Sequence, residues 1–179
     1  MITTNQIFKD LIDLLKKGLL SKSLSWQIIQ SFQQTIGNIK SPYIMIHRIS
    51  SSNIGFQSQK DIYNESTQKI DHTEEQIENV LFQIDAVYDR TPDDNTTTIT
   101  GTDVLRIISR WLQSDLGLEE IKKKGYEILR ITEVVEPFYK SVNELYQVNP
   151  HFELQLIVTQ IDITSIEKIE GTNIAVKGV

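Results

Sequence analysis

Two carboxylates and a histidine are the residues of this sequence best suited to chemistry. Asp85 and Asp89 lie four positions apart in the segment QIENVLFQIDAVYD, and His47 lies in another strand-like segment that could neighbour it. Paired carboxylates with a histidine are a ligand set that a metal-dependent nuclease or hydrolase can use. The polar face of a half-exposed strand, however, is ordinarily solvated. We therefore expect no metal site here and no catalytic residue.

The other polar motifs do not form a site either. The three histidines, His47, His72 and His151, have none of the spacings typical of zinc ligands. The segment 92–95 offers oxygen ligands but lacks the glycine and the terminal glutamate of a calcium loop. No phosphate-binding or nucleophile-elbow motif occurs, and the chain has no cysteine. The residues therefore predict no catalytic, cofactor-binding or metal-binding site, and a protein that is not an enzyme.

The segment that carries Asp85 and Asp89 has the clearest strand pattern of the sequence. Apolar residues alternate with mostly polar ones from Gln76 to Asp89, which predicts a half-buried strand over 76–89. This strand is longer than average, so we expect it at the centre of a sheet. Apolar patterns predict three further strands, at 43–50, 126–135 and 151–162.

Helical periodicity marks the N-terminal segment. Apolar residues at spacings of three and four predict a helix at 4–20, with Thr4 or Asn5 as its cap. A weaker pattern around Trp26 predicts a second, short helix within 21–35.

A third helical pattern follows the central strand. It predicts an amphipathic helix at 102–114, capped by Thr102 or Asp103, and a short helical turn at 116–121. This helix is the natural cover for one face of the sheet. We expect its core residues to be Val104, Ile108 and Trp111.

The polar segment 53–75 is too long for a hairpin turn of a few residues. It is either a projecting hairpin arm or a mobile surface loop, and the sequence does not separate the two. Its sizeable apolar residues are too few for a core of its own, so we expect it to be mobile in the monomer and ordered by partners. The candidate interface residues in it are Ile54, Phe56, Ile62 and Tyr63.

Composition limits the class of protein. The chain has 179 residues, 39% of them hydrophobic and 23% charged, with a net charge of -6. These values predict a single α+β domain over 1–179, with a helical segment at 1–36 and a sheet-and-helix core at 37–170. There is no basic stripe of the kind that general nucleic-acid binders carry. There is also no signal-peptide pattern or membrane-spanning apolar run, so we expect no membrane partner.

The sequence resembles the neck and tail-terminator proteins of tailed bacteriophages. The resemblance lies in the stretch WQIIQSFQQTIGNIKSPYIMIHRISSSNIGFQSQKDIYN, from Trp26 to Asn64, and in the strand VLFQIDAVYD. A covering helix with Arg110 and Trp111 and two closing strands complete it, so that it extends roughly from Trp26 to Thr164. Its motifs are patterns of apolar and glutamine residues.

This resemblance implies an α+β fold in which an antiparallel sheet of about four main strands is flanked by helices. It also implies a structural virion protein, assembled in the host cytoplasm, that forms a ring, commonly hexameric, at the head-proximal end of the tail. Such a ring stops tail polymerisation, joins the tail tube to the head connector, and lets DNA pass without specific binding. A strand that is apolar on both faces, such as Tyr43–Ile46, leaves surface for another subunit to cover. Another connector or tail-completion protein is the nearest alternative, and a small metal-dependent nuclease or hydrolase is the alternative from a different class.

Overall fold

The structure, a computed structural model, describes residues 2–31, 41–88, 99–140 and 146–167. It contains three helices and seven strands in these ranges. None of the helices in the described ranges has the length and apolar character needed to cross a membrane. The helices are α1 (Thr4–Leu20), α2 (Gly101–Leu112) and α3 (Asp115–Lys123), and the strands are β1 (Gln27–Gln30), β2 (Tyr43–Asn64), β3 (Lys69–Val87), β4 (Tyr126–Ile131), β5 (Phe138–Lys140), β6 (Tyr146–Val148) and β7 (His151–Glu167).

Five strands form one sheet in the order β1-β2-β3-β7-β4. The four longer strands, β2, β3, β7 and β4, pair in antiparallel fashion, which confirms the predicted antiparallel sheet and the central place of β3. The short strand β1 joins β2 in parallel and makes the sheet mixed. Strands β5 and β6 pair in antiparallel fashion as a separate two-stranded sheet.

One face of the sheet carries the core, and we call it the covered face. Val80, Phe82, Ile84 and Ala86 alternate along β3 and are fully buried on this face. Helices α1, α2 and α3 contribute to the same core cluster, and Phe8 of α1 meets Phe82 edge-to-face with 5.5 Å between ring centroids. The helices therefore lie on one side of the sheet.

The opposite face of the sheet, which we call the open face, is less well covered. Leu81 and Gln83 of β3, which alternate with the core residues, are only half-buried, and so is Met45 of β2. Asp85 is the buried exception on this face of β3. The sheet thus has one side packed by helices and one side that leaves apolar and polar groups partly in solvent.

The helix caps lie slightly before the predicted positions. Thr3, not Thr4 or Asn5, caps α1 by accepting a hydrogen bond from the Gln6 amide. Thr100, not Thr102 or Asp103, caps α2, and Asp103 completes a capping box by accepting from the Thr100 amide. In both helices the cap is the threonine that precedes the first helical residue in extended conformation, as capping geometry requires.

The predicted short helix within 21–35 is wrong in its described part. Residues Gln27–Gln30 form strand β1, paired with Tyr43–Ile46 of β2, and residues 32–35 lie outside the described ranges. Ile28 and Ile29 are both buried although they are adjacent, so both faces of this short strand are covered. Their β-branched side chains favour a strand, and pairing with β2 overrides the helical spacing around Trp26.

The ends of the main strands also differ from the predictions. Strand β2 continues from the predicted end near Ser50 to Asn64, and β7 continues past Asp162 to Glu167. Strand β3 begins at Lys69, earlier than predicted, and β4 already ends at Ile131. The polar composition of the added segments hid them, because the sequence pattern that predicts strands depends on one face being buried.

Trp111 lies at the contact between α1 and α2. Its side chain is only half-buried, so it is less buried than the prediction of a core residue required. A Cβ added at Gly18 of α1 would lie 3.3 Å from the Trp111 ring, which shows how closely the two helices approach there. The fully buried residues of α2 include Val104, Leu105 and Ile108.

A polar clamp ties α1 to the edge of the sheet. The Asp10 carboxylate accepts hydrogen bonds from Lys124 Nζ at 2.6 Å, from Tyr126 Oη at 2.8 Å and from Gln6 Nε2 at 3.1 Å. Burial is the largest influence on Asp10 and raises its pKa, but the three hydrogen bonds outweigh it, so the pKa of Asp10 lies below its usual value. The clamp thus holds Asp10 ionised in a mostly apolar contact.

We expect Ile108→Ala to cost about 2–5 kcal/mol of folding free energy, because it opens a cavity in the core. Trp111→Ala should cost less, on the order of 2 kcal/mol, because the ring is partly solvated. Urea denaturation of the two variants measures both values. Equal losses would show that Trp111 contributes as a full core residue.

We expect Asp10→Ala to destabilise the fold by about 1–3 kcal/mol, because it removes the acceptor of the Tyr126 hydroxyl and the nearer of the two carboxylates beside Lys124. The folded pKa of Asp10 is depressed, so this contribution is present above the ordinary value and is lost as pH falls through the folded pKa. The denaturation midpoints of variant and wild type should differ at neutral pH and converge at strongly acidic pH. Asp13→Ala is the control, since Asp13 is exposed and lies 3.8 Å from the same lysine.

Candidate interface arm

The sheet extends beyond the helices as a three-stranded projection. Strands β2 and β3 stay paired as far as Asn64 and Lys69, and β7 follows β3 as far as Glu167, which faces Lys69. We call this projection the arm and define it as residues 50–77 and 159–167. The structure therefore shows the projecting hairpin arm, one of the two alternatives left open by the sequence, and adds β7 as its third strand.

A cluster of polar residues marks the root of the arm, where the helical cover ends. Arg48 lies 3.3 Å from Glu78 and donates to the Thr4 hydroxyl at 3.1 Å. The Gln160 amide donates to Glu78 and to the Ile2 carbonyl, and its oxygen accepts from the Ile2 amide at 2.8 Å. The N-terminal end of α1 is thereby fixed to β2, β3 and β7, and the arm starts from a held position.

The Asp71 carboxylate holds the tip of the arm together on the open face. It accepts hydrogen bonds from Asn64 Nδ2 at 2.9 Å and from Ser165 Oγ at 2.8 Å, and so bridges both neighbouring strands. These two hydrogen bonds lower the pKa of Asp71, with the bond from Asn64 as the larger cause. Asn64 also accepts from the Ser66 amide of the turn at 3.1 Å.

His72 holds the same region together on the other face. Its Nδ1 lies 2.5 Å from Asp61 Oδ1 on β2, and its Nε2 lies 3.2 Å from Glu74 Oε1. The hydrogen bond to Asp61 is the main cause, and that to Glu74 the second cause, of a pKa of His72 above its ordinary value. Polar side-chain pairs thus replace an apolar core along the arm.

All four candidate interface residues lie in the arm and are exposed. Phe56 projects from a bulge between Ile54 and Ser58, beside Gly55 with its φ of +70°. Ile54 and Ile62 lie on the open face, because they face Ile77 and Asp71 of β3, whereas Tyr63 faces Ile70 on the opposite side. The relative exposures are 41% for Ile54, 101% for Phe56, 49% for Ile62 and 47% for Tyr63.

Sequence reasoning missed the apolar residues that β7 adds to the arm. Ile163 is 65% exposed and Ile166 is 49% exposed, and Ile77 of β3 is exposed as well. Ile166 faces Ile70, which in turn faces Tyr63, so one row of apolar side chains crosses all three strands. The spacing of Ile161 and Ile163 was the only available signal beyond Asp162, and Ile166 is out of step with it.

The structure brings Asp85 and His47 together, as the chemistry-based alternative required. Asp85 Oδ2 lies 3.1 Å from His47 Nε2, an ion-pair distance without the angles of a hydrogen bond, and His151 faces Asp85 from β7. Burial raises the pKa of Asp85, although the Gln83 hydrogen bond and the two histidines oppose this rise. Asp89 lies outside the described residues, and among those described no three acidic, histidine or cysteine residues are grouped to hold a metal.

Comparison with known proteins supports the phage resemblance. A family model described as E217 gateway protein gp29 matches residues 6–166. No curated protein sequence matches the chain significantly.

A solved structure shares the fold. It is the sheath/tube terminator, in the extended state, of the extracellular contractile injection system PVC. The TM-score is 0.56 at 12% sequence identity, and the match covers 99% of this chain. The match covers 64% of the terminator chain, so this chain accounts for somewhat less than two thirds of that protein.

We expect Asp61→Asn to lower the pKa of His72 towards its ordinary value, because it removes the main cause of the rise. A raised folded pKa means that the His72 contacts stabilise the arm at low pH and lose that effect as pH rises through the folded pKa. An NMR titration of the histidine ring signals measures this pKa. Asp71→Asn, on the other face, is the control and should leave the His72 titration in place.

Proposed function

We propose that this chain, which belongs to the family of the E217 gateway protein gp29, forms a ring at the head-proximal end of a phage tail. In this role it ends tail polymerisation and joins the tail tube to the head connector. Its partners are further copies of itself, commonly six in all, together with tube and connector proteins. It acts by complementary interfaces and not by catalysis. Its place is the neck of the virion, after assembly in the host cytoplasm.

The observation that carries this proposal is the arm. Ordering a residue costs about 1–2 kcal/mol of backbone entropy, and the arm repays little of this by burying apolar side chains. Its large apolar residues, such as Phe56 and Ile163, are instead exposed on a projecting sheet. Exposed apolar groups on such a projection are typical of surfaces that a partner covers. A subunit of a ring has such a partner on each side.

Charge supports the passage of DNA through the ring. The arm carries seven acidic residues and two lysines, and the whole chain has a net charge of -6. Binding to DNA rests largely on lysine and arginine contacts with phosphate, and an acidic surface does not provide them. A lumen built from such subunits would let DNA move without holding it.

The alternatives differ in what they require. Another connector or tail-completion protein would use the same arm against different partners, and reconstitution with tails separates it from a terminator. A nuclease or hydrolase would need a metal at Asp85, and the described residues group no three acidic or histidine side chains there to hold one. Calorimetric titration with magnesium or manganese tests this, and micromolar binding that Asp85→Asn abolishes would favour the enzyme.

The direct test is to shorten the arm without disturbing its register. Ile54 and Ile77 face each other, so replacing residues 55–76 with Asn-Gly joins them by a tight hairpin turn. We expect the wild type to form rings with a mass of about six subunits. The shortened variant should remain a folded monomer, as seen by light scattering and circular dichroism, and should fail to terminate tails.

The matched control shortens only the tip. Asn64 and Lys69 also face each other, so replacing residues 65–68 with Asn-Gly keeps all three strands of the arm. This variant should still form rings. A wild type that stays monomeric with tails present would contradict the proposed function, and rings formed by the shortened variant would show that the arm is only a surface extension. Hydrogen exchange should be faster in the arm of the free subunit than in the core of β3, and should slow on assembly.

A further inference from the structure

On both sides of the arm, the structure describes stretches of outer strand that have no further strand beside them among the described residues. Strand β1 pairs with β2 only as far as Ile46, and β4 pairs with β7 between Leu154 and Val158. In the part of the chain that the structure describes, residues 50–62 of β2 and 162–167 of β7 therefore pair only with β3. Each edge presents a row of backbone donors and acceptors to its surroundings.

The β7 edge lacks some of the usual protections against strand pairing, although Asp162 and Glu167 give it two charges. Residues 162–167 contain no proline and no lysine, and the register between β3 and β7 is unbroken from Asp85 and His151 to Lys69 and Glu167. Natural proteins ordinarily blunt such an edge with bulges, lysines or short strands. The β2 edge has bulges nearer the root, but its pairing with β3 is regular again from Ser58 to Asn64. Two regular edges of similar length thus end at the same tip.

The directions of the two edge strands match a rotational assembly. Strands β2 and β7 are both antiparallel to β3, so they run in the same direction, and Asn64, Lys69 and Glu167 lie in one row. Consider two copies related by a rotation about an axis along the strands. The β7 edge of the first copy then lies beside the β2 edge of the second copy, at the same height. Such a contact joins two different surfaces, and repeated contacts of this kind close into a ring when the rotation allows it.

We propose that residues 162–165 of β7 in one subunit pair in parallel with residues 59–62 of β2 in the next, so that the arms form one sheet across subunits. This inference rests on the ring of the proposed function and identifies its contact. A ring of six such arms would contain about eighteen strands, a number at which closed barrels leave a water-filled channel. Backbone hydrogen bonds would give the contact its strength, and the exposed isoleucines would then pack against the neighbouring arm.

Disulfide crosslinking tests this contact directly, because the chain has no cysteine of its own. Gln59→Cys is combined in turn with Asp162→Cys, Thr164→Cys and Ile166→Cys. These positions are on the same face, since Gln59 faces Glu74 and Glu74 faces Asp162. Strand β3 separates the positions within one subunit, so a disulfide between them has to join two subunits. After oxidation of assembled protein, a denaturing gel should show a ladder up to the full ring for at least one pair.

Two controls make the result specific. Gln59→Cys with Ile163→Cys places the thiols on opposite faces and should give no ladder. Each single-cysteine variant should remain uncrosslinked, whereas dimers from Thr164→Cys alone would show that two β7 edges pair with each other, which overturns the proposal. Rings that form in all variants without any ladder would overturn the edge contact and leave the ring itself intact. Absence of rings in the wild type would instead reject the proposed function.

Discussion

The fold depends on the backbone hydrogen bonds of strand β3, which has a paired strand on both sides along nearly all its length. Strand β2 satisfies one side from Val87 to Lys69, and β7 satisfies the other from Asp85 to Lys69. Two different kinds of side-chain contact stabilise these paired strands. Near the helices, buried residues such as Phe82 and Phe152 hold it, and in the arm polar bridges such as that of Asp71 hold it. Backbone pairing is what the two regions share.

The change from apolar core packing to polar bridges occurs within a few residues of each strand. It separates the stable core from the projecting arm. Val80 is the last fully buried residue of β3 and Val158 is the last of β7, and Glu78 and Gln160 follow them at the root of the arm. Beyond that point the sheet gains no stabilisation from the core. Cross-strand polar pairs contribute only about 0.2–1 kcal/mol each, so the arm by itself is a region of low local stability. Contacts with other subunits would provide the burial that the chain does not provide itself.

The sequence was informative where one face is buried and less so elsewhere. The alternation around Phe82 and the helical spacing around Ile108 identified β3 and α2, because core packing imposes a period on both. The distal half of β2 and the end of β7 have two solvated faces, so no period of burial marked them. Strand β1 was missed since its two adjacent isoleucines are buried on opposite faces, which no alternation reveals. The exposed apolar residues of the hairpin were found by type alone, and those of β7 were missed because the sequence pattern predicts that this strand ends at Asp162.

The core also determines which residues the distant arm presents on each of its faces. Slipping β7 by one residue against β3 would move every side chain of β7 to the other face. Such a slip would take Phe152 and Leu154 out of the core, and their complete burial makes this very costly. Because the register then runs unbroken to Glu167, the same constraint places Ile166 beside Ile70 at the tip. An interface built on the arm is therefore positioned by packing at the opposite end of the strands, and mutations in the core can alter assembly without touching it.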